Sequence, residues 1–134
     1  MPRFSCTLLA AFVATAAPVL AQASRPVAAP AAVKTEFDAF LAKFRAALKA
    51  NDAAAVAGLT RLPFMAESDA ATFRAKDYPR LFNTKSRACL ARAKPVYDLD
   101  GEKNHAYSLF CGETIYVFTR DAGGFRFTDV GVND

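Results

Sequence analysis

Apolar and polar residues alternate along the last third of this chain, and this alternation is its clearest structural signal. A period of two is typical of β-strands that bury one face, and the runs are separated by short polar or glycine-containing stretches. The stretch Asp121-Ala122-Gly123-Gly124 suits a hairpin loop. The pattern predicts an antiparallel meander of about four strands, at Val96–Leu99, His105–Cys111, Thr114–Arg120 and Phe125–Val130.

A helical period governs the chain before these strands. Thr35 is the predicted N-cap of a first helix, with Asp38 three positions later. Asp52 is placed to cap a short second helix over 53–60, and a further helix is predicted over 85–93. The number of helical pieces between residues 68 and 93 stays open. Apolar side chains line one side of the first helix, namely Phe37, Phe40, Leu41, Phe44 and Leu48.

Helices first and strands later indicate an α+β fold, in which the N-terminal helices pack on one face of a curved antiparallel sheet. Because side chains alternate between the faces of a strand, Tyr107, Leu109 and Cys111 share one face, and Ser108 and Phe110 share the other. Both faces of the middle strands carry apolar groups. We therefore expect the second face of the sheet to be partly covered.

The N-terminus has the pattern of a secretory signal peptide. Arg3 precedes an apolar run over 8–17, and small residues suit cleavage after Ala21 or Ala23. The run is too short to span a membrane, which takes about 20 apolar residues. We expect an exported protein, periplasmic or secreted, that does not span the membrane after cleavage. The predicted organisation is a signal peptide over 1–21, an Ala/Pro-rich disordered tether over 22–33 and a single domain over 34–134.

Cleavage would remove Cys6 and leave Cys89 and Cys111. Two cysteines in an exported domain indicate one disulfide, which would pin the last helix to the sheet. Closing this loop would stabilise the fold by roughly 3 kcal/mol in a chain-entropy treatment. A pair of buried free thiols is the alternative.

Three features carry a family resemblance: the phenylalanine helix that runs into Lys49-Ala50-Asn51-Asp52, the Leu62-Pro63-Phe64 run, and the hairpin at 116–129. In these features the chain resembles the NTF2-like superfamily (SnoaL and ketosteroid-isomerase type, cystatin-like), as a small exported member of unknown function. The resemblance implies a cone of curved sheet around helices, often with an apolar pocket inside. Residues 66–93 depart most from the family pattern, and no residues match an isomerase or dehydratase site.

The chain lacks the parts of the common catalytic sites. A metal site needs three or four converging ligands, and one histidine with two oxidised cysteines leaves only scattered carboxylates, so neither a metal nor a cofactor is predicted. No Gly-x-Ser-x-Gly motif occurs. His105 follows a polar turn, which favours an exposed position at the start of a strand. Four tyrosines are candidates either for the core or, together with His105, for a ligand pocket: Tyr78, Tyr97, Tyr107 and Tyr116.

Positive charge concentrates between residues 74 and 94, where Asp77 is the only acidic residue. Such a patch attracts anionic partners, although a plain solvated helical face is the alternative. Nucleic acid is a poor partner for an exported protein, so an anionic envelope component or an acidic protein surface fits better. We call these cations the basic face: Arg74, Lys76, Arg80, Lys85, Arg87, Arg92 and Lys94.

These patterns favour a non-catalytic exported binding module for a small apolar ligand, an anionic envelope component or a protein partner. The alternative is an isomerase- or hydratase-like enzyme, in which His105 or a buried aspartate is the general base and a tyrosine stabilises an oxyanion. A stabilising or inhibitory domain of the cell envelope is a third hypothesis. An open sheet face would make a homodimer a candidate assembly.

Overall fold

The computed structural model describes residues 16–17 and 27–134. The predicted signal peptide, apart from Ala16 and Ala17, and the first part of the predicted tether lie outside the described residues. The described chain has helices followed by a four-stranded antiparallel sheet, which confirms the α+β class. The helices are α1 (Ala31–Lys49), α2 (Ala53–Gly58), α3 (Ala70–Thr72), α4 (Tyr78–Leu81) and α5 (Thr84–Leu90), with a π-helical turn at Phe73–Asp77.

Helix α1 begins earlier than predicted. Its first residue is Ala31 and its N-cap position is Pro30, so the predicted cap at Thr35 is wrong; the Thr35 hydroxyl donates to the Ala31 carbonyl inside the helix. Residues 31–33 of the predicted tether therefore belong to α1. Alanine has the highest helix propensity, and Ala31 and Ala32 extend the helix back to the proline.

The shorter helices begin where side chains satisfy free backbone amides. Asp52 caps α2 as predicted, and its carboxylate accepts from the Ala55 amide at 3.0 Å. Helix α5 is capped by Asn83, whose side chain accepts from the Ser86 amide at 2.9 Å. Helix α5 also ends at Leu90, three residues before the predicted end.

The four strands form a meander in the order β1-β2-β3-β4. A bulge in β4 shifts the register, so that Phe127 pairs with Phe118 whereas Asp129 pairs with Val117. The extra residue, Thr128, lets Asp129 face away from the helices; strict alternation from Phe127 would turn it inward. The strands are β1 (Val96–Leu99), β2 (His105–Cys111), β3 (Thr114–Asp121) and β4 (Gly124–Val132).

Aromatic rings fill the space between α1 and the inner face of the sheet. Phe37 stacks on Tyr107 with ring centroids 3.8 Å apart, and Phe44 meets Phe118 edge-on at 5.0 Å. The whole predicted stripe of α1 is buried in this cluster. These packed rings occupy the middle of the fold.

The outer face of the sheet is unevenly exposed. Val96 and Phe110 are 51% and 43% exposed there, whereas Ala106 and Thr119 on the same face are buried. Exposure therefore concentrates at the ends of the middle strands and on β1.

Candidate functional site

The predicted cysteine pair is seen. Cys89 on α5 and Cys111 at the end of β2 form a disulfide, with their Cα atoms 5.9 Å apart. The bond ties α5 to the sheet, as predicted, and is compatible with an oxidising, exported location. It also fixes the position of the helix that carries Arg87.

The tyrosines and His105, predicted as one candidate set, fall into two groups by their contacts. Tyr78 and Tyr116 both pack against Phe82. Tyr97 and Tyr107 pack against each other, and the Tyr97 hydroxyl lies 2.7 Å from Nδ1 of His105. His105 is half-buried, in contrast to the exposed position that we expected.

The hydroxyls of this set are satisfied to different degrees. Buried Tyr116 donates to the Leu81 carbonyl at 2.6 Å, whereas the buried Tyr107 hydroxyl has no partner among the described residues. Burial raises the pKa of the Tyr78, Tyr107 and Tyr116 phenols, so all three stay neutral at neutral pH. The described residues contain no group of three or more His, Cys, Asp or Glu that could hold a metal ion. The enzyme alternative stays a hypothesis.

The basic face divides among separate hollows of the surface. Arg80 pairs with Asp77 at 3.1 Å, and Lys85 lines a hollow beside the disulfide together with Glu113. Arg74 and Arg87, by contrast, line one common cleft of about 460 Å³. These two arginines are the part of the basic face that the fold brings together without a carboxylate.

This cleft lies where the end of α1 meets α4 and the start of α5. Its lining includes two guanidinium groups but no acidic side chain. Asp52 is near enough to influence the Tyr78 phenol, but its carboxylate is engaged as the cap of α2. The polar lining residues, which we call the donor cleft, are Arg74, Arg87, Asn51, Tyr78, Asn83 and Thr84.

Hydrogen bonds within the fold engage the acceptor atoms of the donor cleft. Arg87 Nε donates to the Phe82 carbonyl at 3.1 Å and Nη1 to the Leu48 carbonyl at 3.4 Å, which anchors the guanidinium. The Tyr78 hydroxyl donates to Asn51 Oδ1 at 2.9 Å, and Asn83 Oδ1 accepts the α5 cap bond. Because both amide oxygens are used, the two NH₂ groups are left as donors.

A second hollow, the α1–α5 groove, adjoins the donor cleft. It has a volume of about 420 Å³, and it shares the lining residues Thr84 and Arg87 with the donor cleft. Arg45 and Lys49 of α1 stand beside the groove. Its apolar lining consists of Ala46, Leu48, Ala88 and Ala91.

Arg45 bridges the two helices of the groove. Its Nε donates to the Leu90 carbonyl at 2.9 Å and its Nη2 to the Ala93 carbonyl at 2.6 Å, so it satisfies the end of α5. Partial burial lowers the Arg45 pKa, yet an arginine remains charged at neutral pH. Sequence reasoning missed this residue and Lys49. The available signal was their spacing of four on the side of α1 away from the phenylalanines.

Comparisons with protein-family models, with curated proteins and with solved structures found no match. Among the described helices, none combines the length and the apolar character that a membrane crossing requires.

Proposed function

We propose that this chain is a non-catalytic, exported binding module that takes an anionic ligand in the donor cleft. The observation that carries the proposal is the lining: two arginines with two side-chain amides, the Thr84 hydroxyl and no carboxylate. Guanidinium groups match the oxygens of phosphate and carboxylate groups with paired hydrogen bonds. Arg87 is already held by two backbone carbonyls, so its side chain loses little conformational entropy when an anion binds.

The same lining favours binding over catalysis. It holds no histidine, cysteine or carboxylate to move a proton, and the Tyr78 phenol stays neutral because burial raises its pKa. The signal-peptide pattern and the cysteine pair support an exported location. The NTF2-like resemblance stays a prediction, and the proposed site does not depend on it.

Calorimetric titration of the mature protein with inorganic phosphate tests this proposal. Arg74→Glu reverses one charge at an exposed position of the cleft, so we expect phosphate binding to weaken at least tenfold. Arg92→Glu makes the same change at an exposed residue outside both hollows and serves as the matched control, with affinity kept within about twofold. Absence of phosphate binding by the wild type, or equal losses in both variants, contradicts the proposal.

For a partner, we propose a second copy of the chain on the outer face of the sheet. The strand register aligns Asp98, Ala106, Thr119 and Arg126 in one row across all four strands. The row carries an acid on β1, a base on β4 and small residues between them. A two-fold axis parallel to the strands lays β1 of one copy over β4 of the other, so Asp98 meets Arg126 twice.

Pairing through the strand edges is less favourable, because aspartate side chains already accept from backbone amides of the two edge strands. The Leu99 amide donates to the Asp98 carboxylate and the Val130 amide to the Asp129 carboxylate, each at 2.7 Å.

Sedimentation velocity tests dimerisation through the outer face of the sheet. Asp98→Arg or Arg126→Asp alone should weaken dimerisation, and the two changes together should restore it because the charges are exchanged. A monomeric wild type, or a double variant no better than the single variants, overturns this pairing.

A further inference from the structure

We infer that the ligand is a single-chain phosphate amphiphile, with its phosphate in the donor cleft and its hydrocarbon chain in the α1–α5 groove. This inference rests on the proposed function and names the class of ligand. It combines two neighbouring hollows of different character, one rich in donors and one apolar.

The groove is suited to a hydrocarbon chain. Three exposed alanines, Ala46, Ala88 and Ala91, contribute apolar surface between the two helices, next to the buried Leu48. The small alanine side chains keep the helices' facing surfaces low, which leaves a trough for an unbranched chain. Its volume of about 420 Å³ lies within the usual range of ligand sites, roughly 300–1,000 Å³.

The two hollows meet at the residues that would hold the head group. Thr84 and Arg87 belong to both linings, so the donors of one hollow and the apolar surface of the other adjoin at these two residues. Arg87 is anchored at this junction by the Phe82 and Leu48 carbonyls. The amphiphile's polar end is thereby matched to one hollow and its apolar end to the other.

The positive charges around the groove favour an amphiphile with negative charge. Arg45, Lys49 and Arg87 stand beside the apolar residues, and no acidic side chain lines either hollow. The long stems of arginine and lysine can cover a hydrocarbon chain while their charged ends stay in water. A cationic amphiphile would meet repulsion, and a neutral one would leave the donors without acceptors.

The test is a titration series on the delipidated mature protein with inorganic phosphate, butyl phosphate, octyl phosphate and dodecyl phosphate, each below its micelle concentration. We expect affinity to rise with chain length, by up to about fourfold per buried methylene. Dodecyl phosphate should bind at least a hundredfold more tightly than butyl phosphate. Uncharged dodecyl maltoside should bind much more weakly than dodecyl phosphate.

A variant that fills the groove tests binding of the hydrocarbon chain separately from binding of the phosphate. Ala88→Phe places a ring in the trough at an exposed position, so it should abolish the gain with chain length and leave inorganic phosphate binding intact. Ala39→Phe makes the same change at an exposed residue of α1 outside the groove and should keep the gain.

The failures are distinguishable. A flat chain-length series with phosphate binding retained overturns the amphiphile and leaves the anion site. A chain-length gain that Ala88→Phe does not change, or equal binding of dodecyl maltoside, also overturns it. If the protein binds none of the phosphates, both the amphiphile site and the proposed anion site are overturned.

Discussion

The two sides of α1 serve two regions that differ in almost every physical respect. One side carries Phe37, Phe40 and Phe44 into an aromatic interior against the sheet. The other carries Arg45 and Lys49 to the α1–α5 groove. In the interior most polar groups find partners within the fold, as Tyr116 does with the Leu81 carbonyl. In the cleft, donors remain for a ligand. Substitutions in the interior and in the cleft should therefore change stability and binding separately.

The largest effect should come from the interior. Phe44→Ala or Phe118→Ala removes a ring that is fully buried among other rings, and each should lower the free energy of unfolding by about 3–5 kcal/mol. Arg74→Gln, on the exposed rim of the cleft, should change it by less than about 0.5 kcal/mol. Urea denaturation measures both. Comparable losses at Phe44 and Arg74 would erase the distinction between the regions.

The disulfide joins the two regions, so its removal should affect both. Replacing Cys89 and Cys111 together by alanine should cost about 2–4 kcal/mol of stability. It should also weaken phosphate binding, because the bond fixes the helix that carries Arg87. Calorimetric titration with phosphate, in buffer without urea so that the variant stays folded, measures the loss of binding. Unchanged phosphate affinity would mean that α5 is held in place by packing alone.

Two buried hydroxyls provide a finer comparison inside the interior. Tyr116→Phe leaves the Leu81 carbonyl without its donor and should cost about 1–2 kcal/mol. Tyr107→Phe removes a hydroxyl that has no partner among the described residues, and should be neutral or slightly stabilising. Each variant loses only one hydroxyl group, so the stabilities measured from denaturation curves can be compared directly. A larger loss at Tyr107 would reveal that its hydroxyl does have a partner.

The smallest effect is a dependence of stability on alkaline pH. Burial raises the pKa of the Tyr107 and Tyr116 phenols in the folded state, so the unfolded chain releases these protons more readily. The stability that depends on keeping them neutral is fully present below pH of about 10 and falls as the pH rises further. Thermal melts between pH 9 and 11.5 should show a decline that the double replacement by phenylalanine reduces. Identical slopes would assign the decline to other groups.

The parts of the fold that were predictable are those with a local signature. Alternation located the four strands, and the phenylalanine period located the buried side of α1. The start of α1 was misplaced because Thr35 is a good cap residue, yet the alanines before it favour the helix as far as Pro30. Between residues 68 and 93, short helices joined by a π-helical turn leave no window long enough for a period to show.

The candidate site was predictable only in part, since it depends on packing between distant segments. The charge density of residues 74–94 pointed to Arg74 and Arg87, but also to Arg80 and Lys85, which lie in other hollows. Arg45 reaches the site through hydrogen bonds to the end of α5, some 45 positions away in sequence. The spacing of Arg45 and Lys49 marks a side of α1 away from the phenylalanines, but no pattern along the chain specifies that this side meets α5.

An NMR titration of the ¹⁵N-labelled mature protein with dodecyl phosphate would show which region holds the ligand, because amides of both regions are observed in one spectrum. We predict that amide shifts concentrate at Thr84, Arg87, Ala88 and Ala91, around the donor cleft and the α1–α5 groove. Shifts centred on Tyr107, Phe118 and Phe125, with the helical residues unchanged, would place the ligand in the interior and contradict the account.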